Sequence, residues 1–176
     1  PFSLRLSEGG AGPMLAARLR IGRWTMLSPR LKGFLDAQEV SYATTPHRQA
    51  FTALEVAQSA HIRGREMAKT VIVEVDGRRA MAVLPATRHV DLDQLRRSLG
   101  ARQVRITPEC AFRLDFPDCE VGAMPPFGNL FSMEVLVDPA LAEDESIAFT
   151  AGSHSEVMRM AYRDFARLVR PTPVAM

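Results

Sequence analysis

From residue 28 onward, apolar and polar positions follow two periodicities, one helical and one alternating. Ser28-Pro29 sets an N-cap before a proline in the first helical turn, and Leu31, Phe34 and Leu35 then share one face. Thr52 and Glu55 have the spacing of a capping box, which predicts a helix through Ala60. Thr70 to Val75 is a continuous, largely β-branched run. Asp76-Gly77 is a hairpin turn signal, and Ala80 to Leu84 supplies the return strand. Asp91 to Leu99 reads as a helix stopped by Gly100.

Further along, Gln103 to Ile106 predicts a short strand and Thr107-Pro108-Glu109 the start of a brief helix. Leu130 to Val137 and Ser146 to Thr150 read as strands, with Asp138-Pro139 breaking the chain between them. After Val157 the two periodicities compete. Met158, Met160 and Tyr162 fit a strand, while Val157, Ala161, Phe165 and Leu168 fit a helix. A strand to about Ala161 followed by a helix reconciles them. Strands and helices mix without strict alternation, so the expected class is α+β rather than a doubly wound sheet.

Residues 1–26 differ in pattern: Gly9-Gly10-Ala11-Gly12 is followed by a basic stretch, with no acidic residue between Glu8 and Asp36. They are expected to be a poorly ordered extension, with a domain over 27–170 and a short tail over 171–176. At 176 residues and 47% hydrophobic, the chain suffices for one core without staples. Net charge is only +2, so any nucleic-acid contact must come from a local patch such as Arg63, Arg65, Arg78 and Arg79. A solvated face is the simpler explanation of the same arginines. Cys110 and Cys119 lack metal-ligand spacing and read as reduced thiols of a cytoplasmic protein, with no membrane segment.

Conventional chemistry is missing from the sequence. It holds no GxSxG elbow, P-loop or GxGxxG, and its histidines form no HxxxH or HxH pair, so no metal or cofactor is expected. Three separated segments stand out instead: Ala68-Lys69-Thr70, the run from Gly122 to Gly128 (GAMPPFG), and Ala151-Gly152-Ser153-His154. Each abuts a predicted strand and is built to fix or free the backbone, as a loop aiming N–H groups at a substrate oxygen must be. Lys32 and Lys69 are the only lysines among 22 cationic side chains, and Lys69 opens the most apolar strand. Each segment also has a purely structural explanation: a snorkelling strand-end lysine, a rigid corner, and a turn or cap.

Taken together and in this order, the segments resemble the YbaK-type family of aminoacyl-tRNA deacylases. That family includes the editing domain inserted in bacterial prolyl-tRNA synthetase and its free-standing relatives. The resemblance runs from about Leu27 to Val169, through the strand Lys69 to Val73, Ala82-Val83-Leu84-Pro85, Val121 to Gly128, Val137-Asp138, and Phe149 to His154. It implies a single compact domain around a mixed, highly curved, barrel-like sheet surrounded by helices. It implies hydrolysis of the ester joining a wrong amino acid to the 3′ end of a tRNA, most simply alanine or cysteine on proline tRNA. By the same resemblance, Lys69, Gly122, Gly152 and His154 are the catalytic candidates. Thr70, Met124, Pro125, Pro126, Phe127, Gly128 and Ser153 are the substrate-binding candidates.

An aminoacyl ester is already activated, so water or the vicinal ribose hydroxyl, oriented against fixed donors, suffices without a covalent nucleophile. The implied partners are the acceptor end of an aminoacylated tRNA and an aminoacyl-tRNA synthetase. The sequence departs from the family at Ala43 to His47, where many relatives place histidine before proline. Two other readings stay open: a non-catalytic module of the same fold that holds tRNA or a synthetase, and hydrolysis of small esters without RNA.

Overall fold

The computed structural model describes residues 27–176, so the extension expected over 1–26 lies outside the described residues. Chain order is α1 (Pro29–Ala37), β1 (Tyr42–Pro46), α2 (Ala53–Ser59), β2 (Ala68–Val75), β3 (Arg78–Pro85) and α3 (Leu92–Leu99). It continues with β4 (Val104–Ile106), α4 (Glu109–Phe112), β5 (Glu134–Val137), β6 (Ser146–Thr150), β7 (Glu156–Ala161), α5 (Tyr162–Val169) and β8 (Thr172–Pro173). The start and stop signals act as their chemistry dictates. Ser28 Oγ accepts from the Leu31 amide, and Thr52 and Glu55 complete a reciprocal capping box. Gly100 ends α3 at φ 63°, a left-handed conformation that glycine adopts without steric cost.

The fold is α+β with a mixed sheet, but the sheet does not close into the barrel expected. A five-stranded sheet runs β4-β2-β3-β5-β8, and a three-stranded sheet runs β1-β7-β6. The β3–β5 and β5–β8 pairs are parallel and the rest antiparallel. The two sheets meet at one corner, through a bridge between Met67 and Ala148. Closure would require β4 or β8 to find a further partner, and strands of three and two residues offer almost no ladder with which to do so.

Three further differences have local causes. The strand expected over Leu130 to Val137 begins only at Glu134, because Gly128 to Phe131 winds into a 3-10 turn. A Cβ on Gly128 would meet the Met133 carbonyl oxygen at 2.5 Å, so the turn closes on itself only over glycine. Strand β1, unmarked in the sequence, is recruited by β7 at the edge of its sheet, where Pro46 costs nothing. Residues 171–176, expected as a tail, pair with β5 through Thr172 and Pro173, and Val174 and Met176 are buried.

The principal core fills the space between the two sheets. Phe127, wholly buried, stands against Phe34, Phe149 and Phe165 at centroid distances of 6.2, 5.6 and 5.7 Å. Burial of such a ring contributes roughly 1.5–3 kcal/mol, with a further increment from edge-on aromatic contact. The same core takes in Ile72 of β2, Met81 and Val83 of β3 and Ile147 of β6, which joins the two sheets, and the start of β2 lies beside β6 at the Met67–Ala148 bridge. No helix among the described residues is long and apolar enough to cross a membrane.

Candidate active site

Lys69 is the second residue of β2, opposite Leu84 of β3, and is half-buried. Its ammonium donates to the backbone carbonyl of Arg88. That carbonyl is itself held in place. The Arg88 guanidinium lies 2.9 Å from both carboxylate oxygens of Asp138, which is 1% exposed and also accepts from the Ala140 amide at 2.9 Å. Burial holds the Lys69 ammonium below the usual lysine range, because the charged form is the one that loses hydration. A cation so placed is poorly solvated and responds strongly to an incoming anion or polarised oxygen.

The second and third segments are interlocked. His154 is held from both sides: its backbone amide donates to Glu120 Oε2 at 2.6 Å, and its ring Nε2 sits 2.8 Å from the Val121 carbonyl oxygen. A carbonyl only accepts, so Nε2 carries the proton. The other ring nitrogen, Nδ1, is buried and has no partner among the described residues. Gly122, at φ +88°, presents its Cα to the imidazole. The Gly122 amide donates to Met124 Sδ at 3.1 Å, a thioether and hence a weak acceptor that a substrate oxygen would outcompete.

A cavity of about 170 Å³ joins the three segments. Lys69, Thr70, Gly122 and His154 come to its wall from distant parts of the sequence, together with Phe51, Val56, Met67 and Thr150. The remaining candidates are placed elsewhere. Phe127, Pro125, Pro126 and Gly128 are buried in or beside the core, and Met124 touches the site only through its sulfur. Ser153 Oγ lies 3.4 Å from Ser155 Oγ. Gly152 is engaged on both sides: its amide donates to Ala123 at 2.9 Å and its carbonyl accepts from Glu120 at 2.8 Å. The Gly152 backbone also abuts Ser28, the cap of α1. GAMPPFG is therefore split, with one end at the cavity and the other in the core.

Sequence reasoning did not single out Phe51, Val56, Met67, Thr150 or Glu120. A signal existed for two of them: Phe51 precedes the capping box and Val56 follows it at the staple position, a pair that fixes how the chain enters a helix. Glu120 has no sequence signature, since its role is to bind a backbone amide 34 residues away. Burial pushes the nearby Cys119 thiol up to about 12, so it is no thiolate nucleophile. Both cysteines are free.

Larger depressions exist, such as one of about 480 Å³ beside Asp144, Glu145 and Arg163, but none of the three segments reaches them. The arginines expected as a single patch are divided. Arg63 and Arg65 precede β2 and pair with Glu66 and Asp144, whereas Arg79 lies at the opposite end of the hairpin and pairs with Asp115. Eight residues of strand, roughly 25 Å, separate the two groups.

Comparison with known proteins identifies the family and the fold. A family model described as aminoacyl-tRNA editing domain matches residues 47–168. The chain is 25% identical over 150 residues to the multifunctional Ser/Thr-tRNA deacylase ProXp-y of Escherichia coli strain K12, covering 81% of this chain and 87% of that protein. A crystal structure of a hypothetical protein superposes with a TM-score of 0.74 at 16% identity, over 83% of this chain and 97% of that one. The crystal structure of a candidate trans-editing enzyme for prolyl tRNA synthetase gives 0.72 at 16% identity, over 84% and 94%. At that identity the structural matches speak to the fold.

Proposed function

The chain belongs to the aminoacyl-tRNA editing domain family, and from that premise we propose that it is a trans-acting deacylase removing a small amino acid from mischarged tRNA. The observation that carries this reading is the convergence of Lys69, Gly122 and His154 on one cavity of about 170 Å³. Pockets that enclose drug-sized ligands run to ~300–1,000 Å³, so this one suits an aminoacyl group and leaves the rest of the tRNA outside. The folded body from Leu27 onward carries the activity, and the acceptor end of the tRNA is the partner. A synthetase that charges the tRNA wrongly would supply the substrate.

In the proposed reaction, water, oriented by the vicinal ribose hydroxyl, attacks the ester carbonyl carbon, forming the new C–O bond as the bond to the ribose oxygen breaks. The carbonyl oxygen becomes an oxyanion and the ribose oxygen leaves with a proton. The Gly122 amide exchanges its thioether partner for that oxyanion, an interaction commonly worth ~3–4 kcal/mol in the transition state. The Lys69 ammonium adds positive charge at the same wall and holds the phosphate or ester oxygen beside it. His154, protonated on Nε2 and held by the Val121 carbonyl, packs its ring against Gly122 and so fixes the amide that meets the oxyanion.

Alanine or cysteine on proline tRNA is the substrate proposed first. Such errors arise because a synthetase pocket excludes a smaller side chain by only ~1–3 kcal/mol per missing methylene. Serine or threonine is the second reading, favoured by the hydroxyl-bearing Thr70 and Thr150 at the wall and by the Ser/Thr-tRNA deacylase name of the Escherichia coli relative. The test is release of radiolabelled alanine, cysteine, serine, threonine and proline from proline tRNA, with the cognate tRNAs of the first four as controls. Selective release of one small noncognate amino acid is expected. Saturable tRNA binding without any release would replace this reading with a non-catalytic module. Equal turnover of simple aminoacyl esters, insensitive to salt, would remove RNA from the reaction, since phosphate contacts weaken steeply with salt.

A further inference from the structure

Phe51 is the one aromatic side chain strongly exposed among the described residues, at 67%, and it stands at the wall of the cavity. Its position is not an accident of a loose loop. The Ala50 amide before it donates to the His154 carbonyl at 3.2 Å, extending the β1–β7 ladder past the end of the strand. Its own amide and that of Thr52 donate to Glu55 Oε2 at 3.3 and 3.1 Å, so the capping box of α2 grips the residue from the other side. The ring leans on His154 with centroids 5.0 Å apart and planes at 53°. Val121, whose carbonyl holds the same imidazole, is also exposed beside it, at 38%.

A firmly mounted phenyl ring at the mouth of a small cavity, with most of its surface in water, presents an aromatic face that a planar group of the substrate can cover. The chemistry of the substrate says which. In a 3′-aminoacyl ester, the amino acid and the terminal base are carried by the same ribose. A cavity that encloses the aminoacyl group therefore leaves the base one sugar ring away, at the rim. The geometry points to Phe51 as the stacking platform for the terminal adenine of the esterified nucleotide, an inference that rests on the deacylase reading above. Recognition of an unpaired base by an aromatic face is the general device for single-stranded ends. It would orient the ribose, and with it the ester, between Lys69 and Gly122.

The test compares two pairs of ligands on the full chain. The first pair is the 3′-aminoacyl ester of adenosine and the same ester of a ribose lacking the base, assayed for hydrolysis. The second pair is the corresponding non-hydrolysable amides, assayed for binding by calorimetry. The wild-type protein should prefer the adenine-bearing member of each pair by roughly 5- to 150-fold, the equivalent of ~1–3 kcal/mol of stacking. Phe51→Ala should collapse that preference, Phe51→Leu should fall toward it while keeping apolar bulk for the fold, and Phe51→Trp should keep or raise it. Variants that lose rate equally on both esters, with the preference intact, would overturn the inference and make Phe51 a prop for His154. No hydrolysis by the wild-type protein would overturn the deacylase reading alone. The amides then decide, and equal affinity for both would overturn the stacking role.

Discussion

Gly122 and His154 meet so closely that a Cβ on the glycine would lie 3.3 Å from Cε1 of the imidazole. With φ at +88°, the same glycine occupies a conformation that a side chain strains by ~1–3 kcal/mol. Gly122→Ala should therefore both push the imidazole and turn the amide away from the cavity. Turnover is expected to drop by roughly 100-fold or more, with a stability loss of about 1–3 kcal/mol in urea. An unchanged turnover rate would show that the Gly122 amide takes no part in the reaction.

Lys69 offers a pH signature. Burial lowers its pKa from the ordinary 10.5, so in the window between the lowered value and 10.5 the unfolded chain binds more protons than the folded one. Stability attributable to this group thus rises with pH across that window, whereas activity by the proposed mechanism, which uses the ammonium, is expected to fall through it. Lys69→Ala should lower catalytic efficiency roughly 100-fold. Lys69→Arg should retain part of the activity and lose the alkaline limb, since a guanidinium does not deprotonate. An alkaline limb that persists in Lys69→Arg would assign it to another group.

Gly152 separates structure from chemistry. Its φ is +113°, and a Cβ there would sit 2.8 Å from the Ser28 amide nitrogen, which donates to Ala151 at 2.7 Å. Neither backbone atom can give way without uncapping α1. Gly152→Ala should cost more than ~3 kcal/mol, measured as a shift in denaturation midpoint. A variant of normal stability would show that the α1 cap is not tied to this turn.

The elements that the sequence made legible are those specified by neighbouring residues. The Thr52–Glu55 capping box, the Asp76-Gly77 hairpin and the Gly100 stop act within a few positions, and the switch from strand to helix after Ala161 follows from two apolar periods. What was not legible depends on distant partners. Tyr42 to Pro46 is a strand only because β7 lies beside it, and Gly128 needs the Met133 carbonyl to explain it. The same division runs through the site. Lys69, Gly122 and His154 could be singled out by residue type and context, and they do share a cavity. Phe127 carries the same aromatic signal as Phe51, yet one is the centre of the core and the other is exposed; only packing distinguishes them.

The two hydroxyl-bearing residues of the cavity distinguish the substrate readings. Thr70 on β2 and Thr150 on β6 approach from different sheets. Replacing each by valine removes the hydroxyl at nearly constant shape. A site that hydrogen-bonds a substrate hydroxyl discriminates strongly, because its own polar groups go unpaired when the hydroxyl is missing. The double variant Thr70→Val, Thr150→Val should lose seryl- and threonyl-tRNA hydrolysis by roughly 10-fold or more, while alanyl release changes by only a few-fold. Competition assays with mixed mischarged tRNAs read that ratio directly, free of differences in enzyme concentration. An equal loss for alanyl and seryl substrates would mean that the hydroxyls act on the ester or ribose common to both. The amino acid would then be selected by the size of the cavity between Val56 and Met67 alone.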